Sequence, residues 1–232
     1  MNFLSHGFRF LDSPYVVAGT AVPDWLSVLD RRTRARSKNA MPFLVNDDPE
    51  TREIALGIVQ HHRDDAWFHS SRLFNETMLR FAVELRDQLP GDEGFRPSFV
   101  AHILVEILID STLIEREPAL AERYYAAIES VSAEKVQMVV NRIARSHGIG
   151  SGAAAQGAAA QGASLGLAVV IKRFADARFL YDYPDGDKLL FRLNQVMRRV
   201  GLPPLPVELL PWLAEARRVV DLRCDALLTP DP

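Results

Sequence analysis

Cysteine is almost absent from this 232-residue chain. Cys224 stands alone, so no internal disulfide can form and a cysteine-built zinc site is excluded, which leaves nitrogen and oxygen ligands for any metal. A reducing cytoplasm suits such a chain. Continuous apolar runs of membrane-spanning length, about 18 residues, are missing too. The opening Met1-Asn2-Phe3-Leu4-Ser5-His6 lacks the basic start and apolar core of a signal peptide. The expectation is a cytoplasmic protein that makes no use of a membrane. Charge of either sign is not in excess: Lys and Arg total 27 against 30 for Asp and Glu, a net charge of −3, so nucleic acid is not indicated. Period-two alternation, the mark of half-buried strands, is also scarce.

What remains is helix-sized pieces separated by proline and glycine, which predicts an all-α fold in one domain spanning residues 1–232. Asp48-Pro49-Glu50 offers a cap, a proline for the first helical position and an acid for the first turn. Helical periodicity follows over residues 49–88, with a break predicted near Ser70-Ser71, whose hydroxyls suit an N-cap. Pro97 opens the next helix, which should stop near Glu117-Pro118, and Ser132 can cap another running to Ser146. Further helices are predicted over residues 165–180, 187–200 (closed by Gly201) and 206–228. Between them, residues 148–166 carry a short Ala-Ala-Ala-Gln-Gly repeat in which glycine at every fifth position costs about 1 kcal/mol. This segment reads as a flexible connector. It lacks the Lys-Ser or Lys-Thr ending of a phosphate-cradling loop.

The chemistry-bearing residues fall on two stripes. His61, Asp65 and His69 recur at steps of four in one helix, and His102, Glu106 and Asp110 in another. A four-residue step advances a helix face by only about 40°, so each triplet lines one side, and the two stripes could meet across a helix pair. The second stripe interrupts the run from Phe99 to Asp110, where nearly every other residue is apolar. An unpaired carboxylate there costs several kcal/mol, and a divalent cation held by imidazole and carboxylate offsets that cost. The bland alternatives are a solvated charged face for His61-His62-Arg63-Asp64-Asp65 and a buried ion pair for the second stripe. His6, in the apolar segment Phe3-Leu4-Ser5-His6-Gly7-Phe8, and Asp24 are further candidates; Asp24 could instead cap a helix beginning at Trp25. The basic run Arg31-Arg32-Thr33-Arg34-Ala35-Arg36-Ser37-Lys38 suits either solvent or an anion.

These residues give the chain a resemblance to the acyl carrier protein phosphodiesterases, all-α metal-dependent enzymes related to the HD-domain phosphohydrolases. Met1-Asn2-Phe3-Leu4-Ser5-His6 resembles the family's opening, and Gly19-Thr20-Ala21-Val22-Pro23-Asp24 is similar to its glycine-to-aspartate segment. Gly57-Ile58 followed by His61 and Asp65 resembles the next motif, and Asp110 falls on a family aspartate. Residues 171–176 and 193–199 are similar, more weakly, to its carboxy-terminal helices. The resemblance implies a single HD-like helical domain that uses metal-activated water to hydrolyse a phosphoric ester. The implied metal ligands are His6, Asp24, His61, Asp65, His69, Glu106 and Asp110, with His102 and Asp65 in catalytic roles. Manganese, iron or zinc would suit such nitrogen and oxygen ligands. The substrate would be acyl carrier protein or another phosphoester. The chain departs from the family pattern where His69 and Glu106 stand for aspartates and Ser111 for a histidine. His102, one turn before Glu106, would replace that imidazole. The rival reading is a non-catalytic helical metal-binding or interaction module.

Overall fold

The computed structural model describes residues 1–29, 34–89, 94–145 and 166–230. Their regular elements are all helical: α1 (Phe3–Gly7), α2 (Pro14–Leu29), α3 (Ser37–Ala40), α4 (Pro49–Ser70), α5 (Arg72–Gln88), α6 (Pro97–Arg116), α7 (Ala119–Ser130), α8 (Ala133–Arg145), α9 (Leu167–Ala177), α10 (Gly186–Val200) and α11 (Leu210–Leu227). The protein is all-α. Residues 148–165 of the Gly/Ala segment, and Asp30–Thr33 of the basic run and its approach, lie outside the described residues.

Helix boundaries follow local chemistry. Pro49 opens α4, and the Thr51 hydroxyl beside it donates to Asp48 Oδ2 at 2.6 Å. The break expected near Ser70-Ser71 is there: Ser71 is extended, and its hydroxyl accepts from the Phe74 amide at 3.2 Å as the N-cap of α5. Pro97 opens α6, which ends at Arg116, and Ser132 caps α8 by accepting from the Lys135 amide at 3.1 Å. Gly201, at φ 74°, closes α10 in the left-handed region that favours glycine. The short α1 and α3 were not foreseen, and two longer helices were not legible. α7 was unmarked, and α2 begins at Pro14, eleven residues before the start expected at Trp25, and carries Pro23 in its interior. Asp24 is therefore an interior helical residue and not an N-cap.

The chain divides into two compact units. One comprises Met1–Ser5, Ala66–Ala119 and Phe179–Pro232, built on α5, α6 and α11 packed against one another. α6 is its core helix: it is the one helix among the described residues long and apolar enough to cross a bilayer, yet 67% of its most apolar stretch is buried within the protein. Phe74, Phe81 and Leu85 of α5 and Leu213 and Val220 of α11 are buried in this unit with Leu104 and Leu108.

The other unit comprises His6–Asp65 and Leu120–Arg178. Here α9 packs on α2 and α8, with the Phe174 ring edge-on to Trp25 at 5.4 Å. α2 and α4 approach backbone to backbone at two glycines. A Cβ on Gly57 would lie 2.7 Å from Gly19 Cα and meet the Val16 carbonyl still closer; a Cβ on Gly19 would meet the Ile54 carbonyl. Only glycine permits this crossing. Gly57→Ala should cost about 1–3 kcal/mol, as overpacking of a filled interior does. Urea unfolding measures it, and an unchanged midpoint would mean that the two helices separate without penalty.

Candidate metal centres

The crossing of α2 and α4 has a chemical consequence one turn on. Thr20 follows Gly19, His61 follows Gly57 by four residues, and His61 Nδ1 donates to the Thr20 carbonyl at 2.8 Å. That bond fixes the tautomer, so in the neutral ring Nε2 carries a lone pair. It faces Asp65 Oδ2 at 3.2 Å. His6 repeats the arrangement: Nδ1 donates to Asp64 Oδ2 at 3.3 Å, and Nε2 lies 3.3 Å from Asp65 Oδ1. His6 Nε2 is buried and makes no hydrogen bond. Asp64 is itself held by Gln60 Nε2 at 2.9 Å.

Two imidazole nitrogens and one carboxylate thus converge, their ligand atoms all within 4.8 Å of one another. Both histidines are buried, while the Asp65 side chain is 29% exposed. At either ring a hydrogen on Nε2 exists only in the imidazolium, because Nδ1 already carries one. The rings are stacked with centroids 4.2 Å apart. Two charges at that separation repel by roughly 4 kcal/mol at an effective dielectric of about 20, which disfavours protonating both. One ring is then left with a lone pair aimed at a carboxylate. Burial opposes charge on His6, but the carboxylates of Asp64 and Asp65 beside its ring prevail and raise its pKa. Burial likewise opposes charge on Asp65, and His6 and His61 overcome it, holding the carboxyl far below the usual range. The donor set fits a cation that both neutral rings and the carboxylate could bind together.

The second group lies in the other unit and is differently made. His69, His102 and Glu106 also bring ligand atoms within 4.8 Å of one another. Of the first stripe only His69 meets the second; His61 and Asp65 gather with His6 instead, so the two stripes do not form one shared centre. His69 Nε2 donates to Glu106 Oε1 at 2.8 Å, and His102 Nε2 lies 3.3 Å from the same oxygen. The Met1 amino group is 3.0 Å from it as well. Burial opposes charge on Glu106, and the amino group, His102 and His69 outweigh it, so the carboxyl stays well below the usual range. This carboxylate already has positive and donating partners. Both imidazoles are about one-third exposed, and Phe74 stands edge-on to His102 at 5.1 Å.

Asp110 joins neither group. It is fully buried, with Oδ2 accepting from the Leu4 amide at 2.9 Å and Asn2 Nδ2 at 3.0 Å and Oδ1 accepting from the Ser5 amide at 2.8 Å. Its visible task is to hold the amino-terminal turn. Ser111, at the position of the family's histidine, donates to the Tyr183 carbonyl at 3.1 Å. Asp24 lies half-buried on α2, one turn after Thr20, and belongs to neither group. Asp64 was missed in the sequence because it sits in a charge-dense run that reads as a solvated face. The Thr20 carbonyl, a backbone acceptor, leaves no mark in residue type.

Asp110→Ala should destabilise the protein by about 3 kcal/mol or more, since it strips a charged acceptor from several buried donors. A thermal or urea midpoint close to wild type would refute that anchoring role. In chelator-treated protein at alkaline pH, nitrogen NMR should find the Nδ1–H tautomer at His61. A ring protonated on Nε2 alone would break the geometry described above.

Comparison of the chain with protein-family models, with curated proteins and with solved structures finds no match in any of the three.

Proposed function

We propose that the protein is a metal-dependent phosphoric ester hydrolase whose cation is held by His6, His61 and Asp65. The observation that carries this reading is the pair of buried imidazoles that donate through Nδ1 and turn Nε2 towards one carboxylate. Oriented Nδ1–H donors are the usual support of metal-ligating histidine. Manganese, iron or zinc suits two nitrogens and one oxygen. When bound, such an ion supplies Lewis-acid activation of water and of a phosphoryl oxygen near neutral pH. The chain's own residues do the rest. Thr20 and Asp64 hold the two rings in register, and the rings with Asp65 supply three ligands, fewer than the four of a closed structural site. Asp65 is the partly exposed member, so substrate access is from its side. Asp64, accepting from His6 Nδ1, keeps that ring in the tautomer whose Nε2 faces Asp65.

The resemblance to acyl carrier protein phosphodiesterases makes phosphopantetheinylated carrier protein the first substrate to test, with simple phosphodiesters and monoesters beside it. The burial of both histidines supports a second reading, a structural cation in a non-catalytic module, and an open coordination position separates the two. Protein purified without chelator should carry a stoichiometric divalent metal by elemental analysis. Asp65→Asn should lose most of it, and hydrolysis by the manganese- or zinc-loaded protein should fall at least roughly a hundredfold. A metal-replete wild type inert towards all three substrate classes would establish the structural reading instead.

A further inference from the structure

The two imidazoles that face Asp65 are backed by different chemistry. Behind His61 stands the Thr20 carbonyl, a neutral acceptor whose place is set by the backbone of α2. Behind His6 stands a carboxylate, Asp64 Oδ2, 3.3 Å from Nδ1 and on a side chain only 5% exposed. An imidazole that donates to a carboxylate is the more basic metal ligand, because the charge behind the ring pushes electron density towards Nε2. A backbone acceptor stays where the helix puts it, whereas a carboxylate must be held in one rotamer to do the same. Gln60 supplies that restraint. It lies one turn before Asp64 on α4, and its Nε2 donates to Asp64 Oδ1 at 2.9 Å, the i,i+4 pairing that helices favour. With Oδ1 engaged there, Oδ2 is the oxygen turned to His6.

We propose that Gln60 is a positioning residue of the metal centre: by fixing Asp64 it aims the His6 ring and sets the strength of Nε2 as a ligand. The site then has two unequal arms, a carboxylate-backed His6 and a carbonyl-backed His61. Gln60 is half-buried and acts through Asp64, so its removal takes away no ligand. The effect on a cation rests on the metal reading of His6, His61 and Asp65, but the alignment of the His6 ring does not.

Zinc is the probe, titrated calorimetrically into chelator-treated full-length protein, with nitrogen NMR of the metal-free histidines at alkaline pH beside it. Gln60→Met keeps the length and apolar stem of the side chain and loses the donor. It should lose about tenfold in zinc affinity, and Asp64→Asn, which removes the charge itself, should lose more. Leu56→Ala, one turn earlier at an exposed position of the same helix, should match wild type. In the metal-free protein Gln60→Met should turn the single Nδ1–H tautomer of His6 into a mixture and leave that of His61 as it is. Urea midpoints check that each variant is folded. Wild-type zinc affinity in Gln60→Met, an equal loss in Leu56→Ala, or an unchanged His6 tautomer each overturns the proposal. Failure of the metal reading looks different: wild type would bind no zinc, while the His6 tautomer would still respond to Gln60→Met.

Discussion

The approach of α2 and α4 at Gly19 and Gly57 is the constraint on which the first metal-capable group depends. With no Cβ at either position, the two backbones come within reach of each other's carbonyls. The Thr20 carbonyl, inside α2, can then also accept from a side chain of α4. His61 gains a defined tautomer from that closeness, and its other nitrogen gains a defined direction. The chemistry at Asp65 is thus downstream of two missing methyl groups.

The two groups of histidine and carboxylate share residue types but differ in electrostatic state. Around Asp65 each imidazole donates its Nδ1 hydrogen elsewhere, so in a neutral ring it is the Nε2 lone pair that faces the carboxylate. Around Glu106 an Nε2 hydrogen and an ammonium already point at the oxygen. The first arrangement gains from an added cation and the second has its positive charge in place. Ligand counting alone would rate them equal. Hydrogen placement separates them, and it is read from what the far side of each ring touches.

Much of this was visible in residue order. Proline at first turns, Ser71 and Ser132 as caps, and Gly201 at a C-terminus set boundaries to within a residue or two, because those signals act locally. The four-residue stripes brought His61 to Asp65 and His102 to Glu106 for the same reason. α2 was hidden by Pro23, which reads as a helix breaker, and its true start lies nine residues upstream at Pro14. Pairings across the chain were less legible. That Asp110 serves the amides of Leu4 and Ser5, more than a hundred residues upstream, depends on tertiary packing that no periodicity encodes. Asp64 looked like a surface acid because its partner, the ring of His6, lies 58 residues away in the chain.

That distant pairing bears on synthesis and folding. α6 has the hydropathy of a bilayer span, with mean hydropathy 1.6, and carries Glu106 and Asp110 within its apolar stretch. While it emerges from the ribosome, the amino-terminal turn that will neutralise Asp110 is already outside and waiting. Closing a loop of that length is entropically slow compared with forming α6 itself. In the interval the helix's apolar side chains stay exposed to water. The amino-terminal turn therefore does more than complete a core: until it reaches α6, Asp110 lacks the Leu4 and Ser5 amides that satisfy it in the finished fold.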